Sequence, residues 1–469
     1  QLFADEHQLI LVTDQGMFQS LDQGRTWAKQ QMPQTASVIS LSIGKPENDT
    51  FYTSILNEGV FKHTTSGWSF LRPEKCAQVV SPENKLFLSQ PLGSILLLRQ
   101  NKVTLPYDKK TKQRYPLQTA LALSPQNNTI LYAGTNTLFQ SLNEGKQWNT
   151  ISPDLTNGDK GGILSYGTIS AICESPFQFG LLYTGSDDGM IYTSQNGGVS
   201  WQMIYSSFPT PNRVACLLAS KHAQERVYAI LQNDNHQALL FRSNNMGKSW
   251  DNLKANLPEE TLNVIVEDPA NEQVLYLGTE NGLYVSFDMG EKWHPFKENL
   301  PRSSVSAIAI NPQTNQLYVG TKGHGFFTAN VTSLRELRAA VQAQLFYPLK
   351  ETYTIAYSPK WGNAPSPWQA PEEPVLYLES FASKDNNTIK ISVVKNKITL
   401  AKFTYQTKVG FNFIPFDLTF VEDGRIAYEK KLLTTFKKAD NGKYYLPKGN
   451  YQIIFENDGF EEERTLVIE

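Results

Sequence analysis

The sequence has few of the residues that usually build metal sites and catalytic sets. Its 469 residues include three cysteines, Cys76, Cys173 and Cys216, and six histidines that stand singly. No Cys-x-x-Cys pair or fourth ligand offers the spacing of a zinc site. We therefore predict no metal and no cofactor, and we expect the cysteines to be small buried residues. A disulfide between Cys173 and Cys216 stays open as an alternative.

A dominant charge and a long apolar run are also lacking. The 43 basic and 45 acidic residues leave a formal charge of −2, and the sequence pI is near 6.4. This balance argues against a nucleic-acid partner. No apolar run approaches the length of a membrane-spanning helix, so we predict no membrane span. No signal peptide is visible, but because the chain starts at Gln1 we expect a processed or trimmed chain, which is compatible with a lost export signal.

Tryptophan, in contrast, recurs in one phrase. Six of the eight tryptophans end copies of Ser-x-Asp/Asn-x-Gly-x-x-Trp, one of them shortened to Gly67 and Trp68. In this phrase the Asp or Asn can bond its own turn, the Gly takes a positive φ, and the Trp enters an apolar layer. We predict structural roles for Asp22, Trp27, Asn143, Trp148, Asn196, Trp201, Asn245, Trp250, Asp288 and Trp293. These phrases are called boxes below.

Short apolar runs between the boxes predict strands. Residues 131–135 and 138–141 are separated by a tight polar turn, and a further run precedes each such pair. A box then joins the third strand of each unit to the fourth. Units of four short strands that repeat at this length are typical of β-propeller blades. The predicted fold is all-β, with a propeller of eight blades and seven blades as the alternative.

Some predicted units are incomplete. The first lacks a convincing first strand, and the last has three strands and no box. A degenerate unit without a box fills the gap between Trp68 and Trp148, with strands expected at 76–80, 85–89, 94–99 and 102–107.

The repeat stops at residue 333, and this defines the predicted domains. Residues 1–332 form the propeller, and residues 333–374 hold a helix at 334–345 and a Pro-rich linker. Residues 375–469 form an immunoglobulin-like β-sandwich, with strands expected at 375–381, 388–394, 397–405, 410–418, 442–446, 451–455 and 462–468.

The motifs resemble one known family. Residues 148–155, 166–176, 184–189, 219–222, 267–269, 278–288 and 320–325 are similar to the large Asp-box, or BNR-repeat, "glycosyl hydrolase" proteins of Bacteroidetes. These proteins are akin to the sortilin (VPS10-like) and photosystem-assembly propellers, and an immunoglobulin-like module that resembles residues 410–417 and 446–451 ends them. This chain departs from the family where Lys322 and His324 replace His and Arg. The resemblance implies an exported protein, while the enzyme name rests on fold analogy.

Propeller geometry predicts where a site would lie. Connections between strands two and three share one face with the connections between blades, and the boxes lie on the other face. A ring of polar residues around a central depression is the usual form of a propeller binding face. Such residues are also ordinary turn residues. The candidate binding residues are Asp154, Asp159, Asp187, Asp188, Arg213, Asp234, His236, Glu280, Asn281, Lys322 and His324. We expect Asp187, Asp188, Glu280 and His324 to lie on exposed turns and to be replaceable without loss of folding.

Three catalytic hypotheses find little support in the residues. A sialidase needs three arginines around a carboxylate, and only Arg213, with Arg72 and Arg302 as further candidates, is expected near the open face. A xyloglucanase-like enzyme needs two carboxylates, for which Asp159 and Asp188 are available. No Gly-x-Ser-x-Gly elbow indicates a nucleophile.

The leading hypothesis is a non-catalytic exported scaffold or binding protein of a Gram-negative cell envelope, in the periplasm or at the cell surface. We expect a protein partner on the propeller face, with an outer-membrane complex as one candidate. A glycoside hydrolase or a glycan-binding lectin that uses the same face is the alternative.

Overall fold

A computed structural model describes most of the chain. It covers 2–4, 9–13, 16–20, 28–30, 37–44, 46–56, 58–64, 67–72, 77–80, 86–97, 102–106, 112–158, 166–204, 213–296, 300–332, 335, 346–364, 368, 371–382, 386–408, 410–457 and 460–469. Two compact units divide it: Gln1–Trp293 with Asn299–Val331, and His294–Glu298 with Thr332–Glu469.

The first unit consists of antiparallel sheets whose strands are neighbours in sequence. Three four-stranded sheets come first, in the orders β1-β2-β3-β4, β5-β6-β7-β8 and β9-β10-β11-β12. Their strands are β1 (Leu2–Ala4), β2 (Leu9–Thr13), β3 (Gly16–Ser20), β4 (Ala28–Gln30), β5 (Val38–Ile43), β6 (Phe51–Ile55), β7 (Gly59–Thr64), β8 (Gly67–Arg72), β9 (Ala77–Val80), β10 (Leu86–Ser89), β11 (Ser94–Leu97) and β12 (Lys102–Thr104). A short 3-10 helix, Pro46–Asn48, separates β5 from β6.

Four further sheets of four strands and one of three complete the series. Their strands are β13 (Leu121–Leu123), β14 (Leu131–Gly134), β15 (Leu138–Ser141), β16 (Asn149–Thr150), β17 (Ile169–Glu174), β18 (Leu182–Ser186), β19 (Ile191–Ser194), β20 (Gln202–Met203), β21 (Arg213–Ala219), β22 (Val227–Gln232), β23 (Leu239–Ser243), β24 (Asp251–Asn252), β25 (Leu262–Asp268), β26 (Asn271–Thr279), β27 (Leu283–Ser286), β28 (His294–Phe296), β29 (Val305–Asn311), β30 (Gln316–Thr321) and β31 (Phe326–Asn330). β28, the last strand of the sheet that begins with β25, is assigned to the second unit. Each sheet corresponds to a predicted four-stranded unit, except the last, which has the three strands expected of the incomplete final unit. The propeller prediction is therefore confirmed.

The ring closes with seven sheets. The first strands lie next to one another in the cycle β5, β9, β13, β17, β21, β25, β29 and back to β5. At the closing contact, Ser306 Oγ donates to the Val38 carbonyl at 2.5 Å, and Asn311 Nδ2 donates to Asp49 Oδ1 at 2.8 Å. Within the described strands this cycle does not pass through β1–β4, so the ring matches the alternative of seven blades rather than the preferred eight. The expected absence of a first strand in unit one is corrected, because β1 pairs with β2.

A glycine in the second strand lets neighbouring sheets approach closely. A Cβ added at Gly185 would lie 2.3 Å from Val214 Cγ1, and one at Gly278 would lie 2.6 Å from Val305 Cγ1. A Cβ added at Gly320 would lie 2.4 Å from Val38 Cγ1, where the last sheet of the ring meets the first. None of these three glycines has a positive φ, so close packing against a β-branched residue of the next sheet is what requires them.

The four boxes that the structure describes share one hydrogen-bond pattern. In the box after β27, Asp288 Oδ1 accepts from Lys292 N at 2.9 Å, and Ser286 Oγ accepts from Gly290 N at 2.7 Å. The glycines at 145, 198, 247 and 290 have φ between 79° and 94°. The predicted turn bond and positive φ are therefore confirmed in these boxes, while Asp22 and Trp27 lie outside the described residues.

The box tryptophans also link consecutive sheets. Trp201 Nε1 donates to the Ile151 carbonyl at 2.9 Å, and Trp293 Nε1 donates to the Leu253 carbonyl at 3.0 Å. Both acceptors directly follow the fourth strand of the preceding sheet. Trp148 instead bonds the Gly145 carbonyl of its own box at 2.9 Å. Trp148 and Trp293 are buried, whereas Trp201 and Trp250 are partly buried.

The second unit is a two-sheet sandwich. Its strands are β32 (Phe346–Pro348), β33 (Thr352–Ile355), β34 (Leu376–Ala382), β35 (Thr388–Lys395), β36 (Ile398–Gln406), β37 (Gly410–Phe416), β38 (Gly449–Asn457) and β39 (Phe460–Ile468). One sheet has the order β32-β34-β37, and the other has the order β33-β39-β38-β35-β36. A single core contains residues of both sheets, such as Leu378, Ile414, Ile391 and Leu466. These sheets support the sandwich prediction.

Several details of the second unit differ from the sequence prediction. Residues 442–446 form only an isolated bridge, Thr419 with Tyr445. Within the expected linker, Tyr353 and Trp361 are buried in the sandwich core, because β32 and β33 pair with strands of the two sheets. The C-terminal unit thus includes residues assigned to the linker. Apart from Arg335, the helix predicted at 334–345 lies outside the described residues.

An unpredicted helix, α1 (Glu422–Leu432), packs on β36. It buries only Gly424 and Tyr428, so its sequence has too few apolar residues to show a helical period. A Cβ at Gly424 would lie 2.2 Å from the Thr399 carbonyl oxygen, so this glycine lets the helix approach the strand.

The cysteines, the helices and the groups of metal-ligand side chains bear on three of the sequence predictions. Cys173 and Cys216 are free thiols, and burial raises the pKa of each; Cys76 is not among the described residues. Within the described ranges, no helix is long and apolar enough to cross a membrane. No group of three or more His, Cys, Asp and Glu side chains is placed to hold a metal ion there.

Candidate functional site: a cavity at the centre of the propeller face

A cavity of about 300 Å³ lies on the predicted face of the propeller. Its wall comes from the start of first strands and from turns between second and third strands, as the topology predicts. The lining residues are Ser37, Val38, Ile39, Leu56, Gln118, Arg213, Ala215, Gln232, Asn263, Ser306 and Lys322. Two predicted binding residues, Arg213 and Lys322, are thus brought together from distant parts of the sequence.

Bulges in the first strands shape this wall. The pairing register shifts around Ile39, Ala215, Asn263 and Ser306, and again around Ser170. Ala215 is the third residue of its strand, and each of the others is the second. An extra residue in one strand re-aims its side chain. Four of these five residues line the cavity.

Some bulge residues also join one sheet to the next. Ser170 Oγ donates to the Val214 carbonyl at 2.6 Å, and Asn263 Nδ2 donates to the Val305 carbonyl at 3.0 Å. Gln232 Nε2, at the end of β22, donates to the Leu262 carbonyl at 2.6 Å. These bonds satisfy backbone groups of the first strands and hold the cavity wall in place.

The cavity wall is cationic. Arg213 and Lys322 are exposed, and the remaining polar lining consists of amides and serine hydroxyls. None of the described lining residues is Asp or Glu. The positive charge of Arg213 and Lys322 favours an anionic group in this cavity.

Asp154 belongs to a polar cluster on the same face. Arg114 Nη2 donates to Asp154 Oδ2 at 2.9 Å, and Asn136 Nδ2 donates to the same oxygen at 3.0 Å. Burial alone would raise the pKa of Asp154, but bonds from Asn136, Thr156 and Arg114 outweigh it and hold this pKa below its usual value. Arg114 also donates from Nε to the Gly167 carbonyl at 3.0 Å. The cluster therefore anchors the connection that follows β16.

Asp187 and Asp188 are likewise used to hold loops. Asp187 Oδ1 accepts from Gly167 N at 2.9 Å and from Thr168 N at 2.8 Å. Asp188 accepts from Ser186 Oγ and, at 2.8 Å, from Asn157 N. Asp188 is only 7% exposed. The expectation that both lie on exposed, replaceable turns is therefore corrected. Their carboxylates accept hydrogen bonds from backbone N–H groups in the connection between β16 and β17.

His236 and Glu280 come together from neighbouring sheets. His236 Nδ1 lies 3.1 Å from Glu280 Oε2 and 2.8 Å from Thr261 Oγ1. Burial alone would raise the pKa of Glu280, but bonds from Thr261 and His236 lower it. The imidazole is exposed, so the pair lies at the rim of the face and is open to a partner.

Asn281, the next residue, reaches a carboxylate that the sequence analysis missed. Its Nδ2 donates to Glu260 Oε2 at 2.6 Å, and Glu260 is buried. Burial, together with the Glu260 carboxylate, raises the pKa of Tyr284 to about 12. Glu260 stands in the connection between two sheets, where no motif marks it.

The remaining candidates are less constrained. His324 Nδ1 lies 3.0 Å from Ser303 Oγ, and Lys322 N donates to the Ser304 carbonyl at 2.8 Å. Asp234 is exposed in the turn between β22 and β23, and Asp159 lies outside the described residues. Arg114, Gln118, Gln232 and Asn263 are not among the candidate site residues that the sequence predicts. The only sequence signal is that Asn263 and Ser306 are each the second residue of a first strand.

A family comparison covers the sheets that carry much of this site. Residues 238–335 match the model of the family described as Sortilin, neurotensin receptor 3. The matched segment contains β23–β31 and four of the predicted binding residues, Glu280, Asn281, Lys322 and His324. The similarity to this family is limited to that segment of the β-propeller. No curated protein matches it.

Solved structures with the same fold share little sequence with this propeller. The GH74 xyloglucanase from Xanthomonas campestris has a TM-score of 0.52 and 16% identity, covering 65% of this chain and 53% of that chain. The chain thus spans about half the length of that enzyme, and at this identity the likeness shows the fold alone.

Two further structures reach lower scores. The extracellular domain of a hybrid two-component system from B. thetaiotaomicron has a TM-score of 0.49 and 11% identity, with coverage of 100% of this chain and 61% of that chain. YCF48 from Cyanidioschyzon merolae has a TM-score of 0.47 and 13% identity, with coverage of 63% and 96%.

Proposed function

We propose that this protein is a non-catalytic, exported binding protein of the Gram-negative cell envelope, located in the periplasm or at the cell surface. Its propeller face engages a protein partner, and an outer-membrane complex is the assembly we would examine first. The C-terminal unit is proposed to be an immunoglobulin-like module.

The composition of the central cavity carries this proposal. Arg213 and Lys322 stand in a wall of amides and hydroxyls, and the lining described above holds no carboxylate. A protein partner can present an Asp or Glu side chain to such a cavity, since a guanidinium pairs well with a carboxylate. Electrostatic complementarity of this kind raises association rates and selects partners.

The carboxylates of the face support the same proposal. A glycoside hydrolase needs two carboxyl groups that reach the scissile bond, one of them acting as an acid. Asp188 is buried and accepts two hydrogen bonds, and Asp187 accepts bonds from Gly167 and Thr168. Both side chains have structural partners that a catalytic acid would have to release.

A glycan-binding or glycan-cleaving propeller is the second candidate. The fold similarity to a xyloglucanase favours it, and the exposed pair of His236 and Glu280 provides a donor and an acceptor at the rim. Fold similarity alone is weak support for the chemistry.

Charge reversal in the cavity tests the proposal. The double variant Arg213→Glu and Lys322→Glu should fold normally, since both side chains are exposed, yet recover less of the partner from envelope extracts. The loss should be greatest at low salt, because screening weakens charge pairs. Lys248→Glu, an exposed change in a box on the opposite face, is the matched control and should bind like wild type.

Two results would contradict the proposal. Equal recovery by wild type and the double variant would remove the cavity from the binding site. Hydrolysis of xyloglucan by the wild type, lost in an Asp188→Asn variant that remains folded, would establish the enzyme instead.

A further inference from the structure

Helix α1 ends in an unusual residue. Leu433, which follows the helix, has φ 52° and ψ 41°, and Thr434 N donates to the Glu429 carbonyl at 3.2 Å. Helices usually place glycine in this left-handed position because a Cβ is disfavoured there. Leu433 nevertheless exposes 93% of its surface. Its side chain therefore strains the backbone and adds no packing to the core.

Other large apolar side chains are exposed in the same unit. Ile426 and Leu432, both in helix α1, are about half exposed. Ile426 lies on the same side of the helix as Lys430, because the two are four residues apart.

Lysines lie close to these apolar residues in the sequence. Residues 430–439 contain Lys430, Lys431, Lys437 and Lys438 and no Asp or Glu, and all four lysines are exposed. Glu422 and Glu429 are both paired with Arg425, so Asp423 and Asp440 are the exposed acids that remain along residues 422–440. This part of the surface is therefore cationic, although the chain as a whole carries a formal charge of −2.

We propose that this patch, formed by Ile426, Leu433, Lys430, Lys437 and Lys438, docks onto the surface of an anionic lipid bilayer. Exposed Ile and Leu side chains enter the interfacial layer, and lysines attract lipid phosphates. Leu433 protrudes at a helix end rather than lining a groove, so it suits a bilayer, which needs no shape complementarity. An acidic protein would instead require a matching surface around it.

Co-sedimentation of the full chain with vesicles tests this docking. The wild type should bind vesicles of phosphatidylglycerol and phosphatidylcholine and bind pure phosphatidylcholine far less. Lys437→Glu with Lys438→Glu should weaken binding by about tenfold or more, since each charge near the surface contributes to attraction. Leu433→Gly should raise Tm, because it relieves the left-handed strain, while it lowers vesicle binding.

The opposite signs expected for Leu433→Gly separate docking from misfolding. Leu92→Gly is the matched control, since Leu92 has φ 60° and is 59% exposed in the propeller. It should also relieve strain and should leave vesicle binding unchanged. The proposal is overturned if the wild type binds neither vesicle, if it binds both vesicles equally, or if Leu433→Gly binds as tightly as wild type.

Discussion

The contact between Gly185 and Val214 predicts a destabilising Gly→Ala change in a strand where alanine is otherwise favourable. Gly185 has no positive φ, so without neighbours Gly185→Ala would stabilise the chain by about 0.5–1 kcal/mol. The added Cβ would however lie 2.3 Å from Val214 Cγ1 and 2.6 Å from Val214 Cβ. Because Val214 is fully buried, we expect a net loss of about 1–3 kcal/mol from overpacking.

A double-mutant cycle measured by denaturant unfolding isolates this contact. Val214→Ala alone should cost about 2 kcal/mol through the cavity that it leaves. In that background Gly185→Ala should cost less than it does in the wild type, because Val214 Cγ1 is gone while Val214 Cβ, 2.6 Å from the added Cβ, remains. The coupling energy should exceed about 1 kcal/mol. Additive effects, or a Gly185→Ala variant as stable as wild type, would refute close packing as the reason for this glycine.

Three further predictions concern the boxes and the polar face. Trp293→Ala should destabilise the propeller by about 3 kcal/mol or more in thermal or chemical melts, because Trp293 is fully buried and bonds the preceding sheet; an unchanged melt would exclude a stapling role. Ser286→Ala should cost about 1–3 kcal/mol, since it leaves Gly290 N without its bond in a buried turn, and Thr328→Ala on an exposed strand position should cost far less. The lowered pKa of Asp154 contributes stability above its unfolded value, near 3.8, that is lost as pH falls through the folded pKa. Asp154→Asn should therefore make acid unfolding less steep in that range, and an unchanged acid profile would contradict the cluster's role.

Local chemistry explains which predictions succeeded. The boxes depend on residues within eight positions of one another, so turn bonds and positive φ at Gly145, Gly198, Gly247 and Gly290 follow from the sequence. The strands of the degenerate unit, β9–β12, were also predicted, because alternating short apolar runs and polar turns are local signals. Helix α1 escaped prediction because tertiary packing around Gly424 and Tyr428, not an apolar stripe, supports it.

The sequence by itself determined the repeating unit, the face on which its turns gather and the positions of the structural boxes, since each depends on neighbours along the chain. Only the tertiary structure decided that the ring closes through Val38 and Gly320, which are 282 positions apart in the sequence. It also buried Asp188 and brought Arg213 and Lys322 to one cavity. Contacts of this kind depend on how many sheets complete the circle, and no local pattern encodes that number.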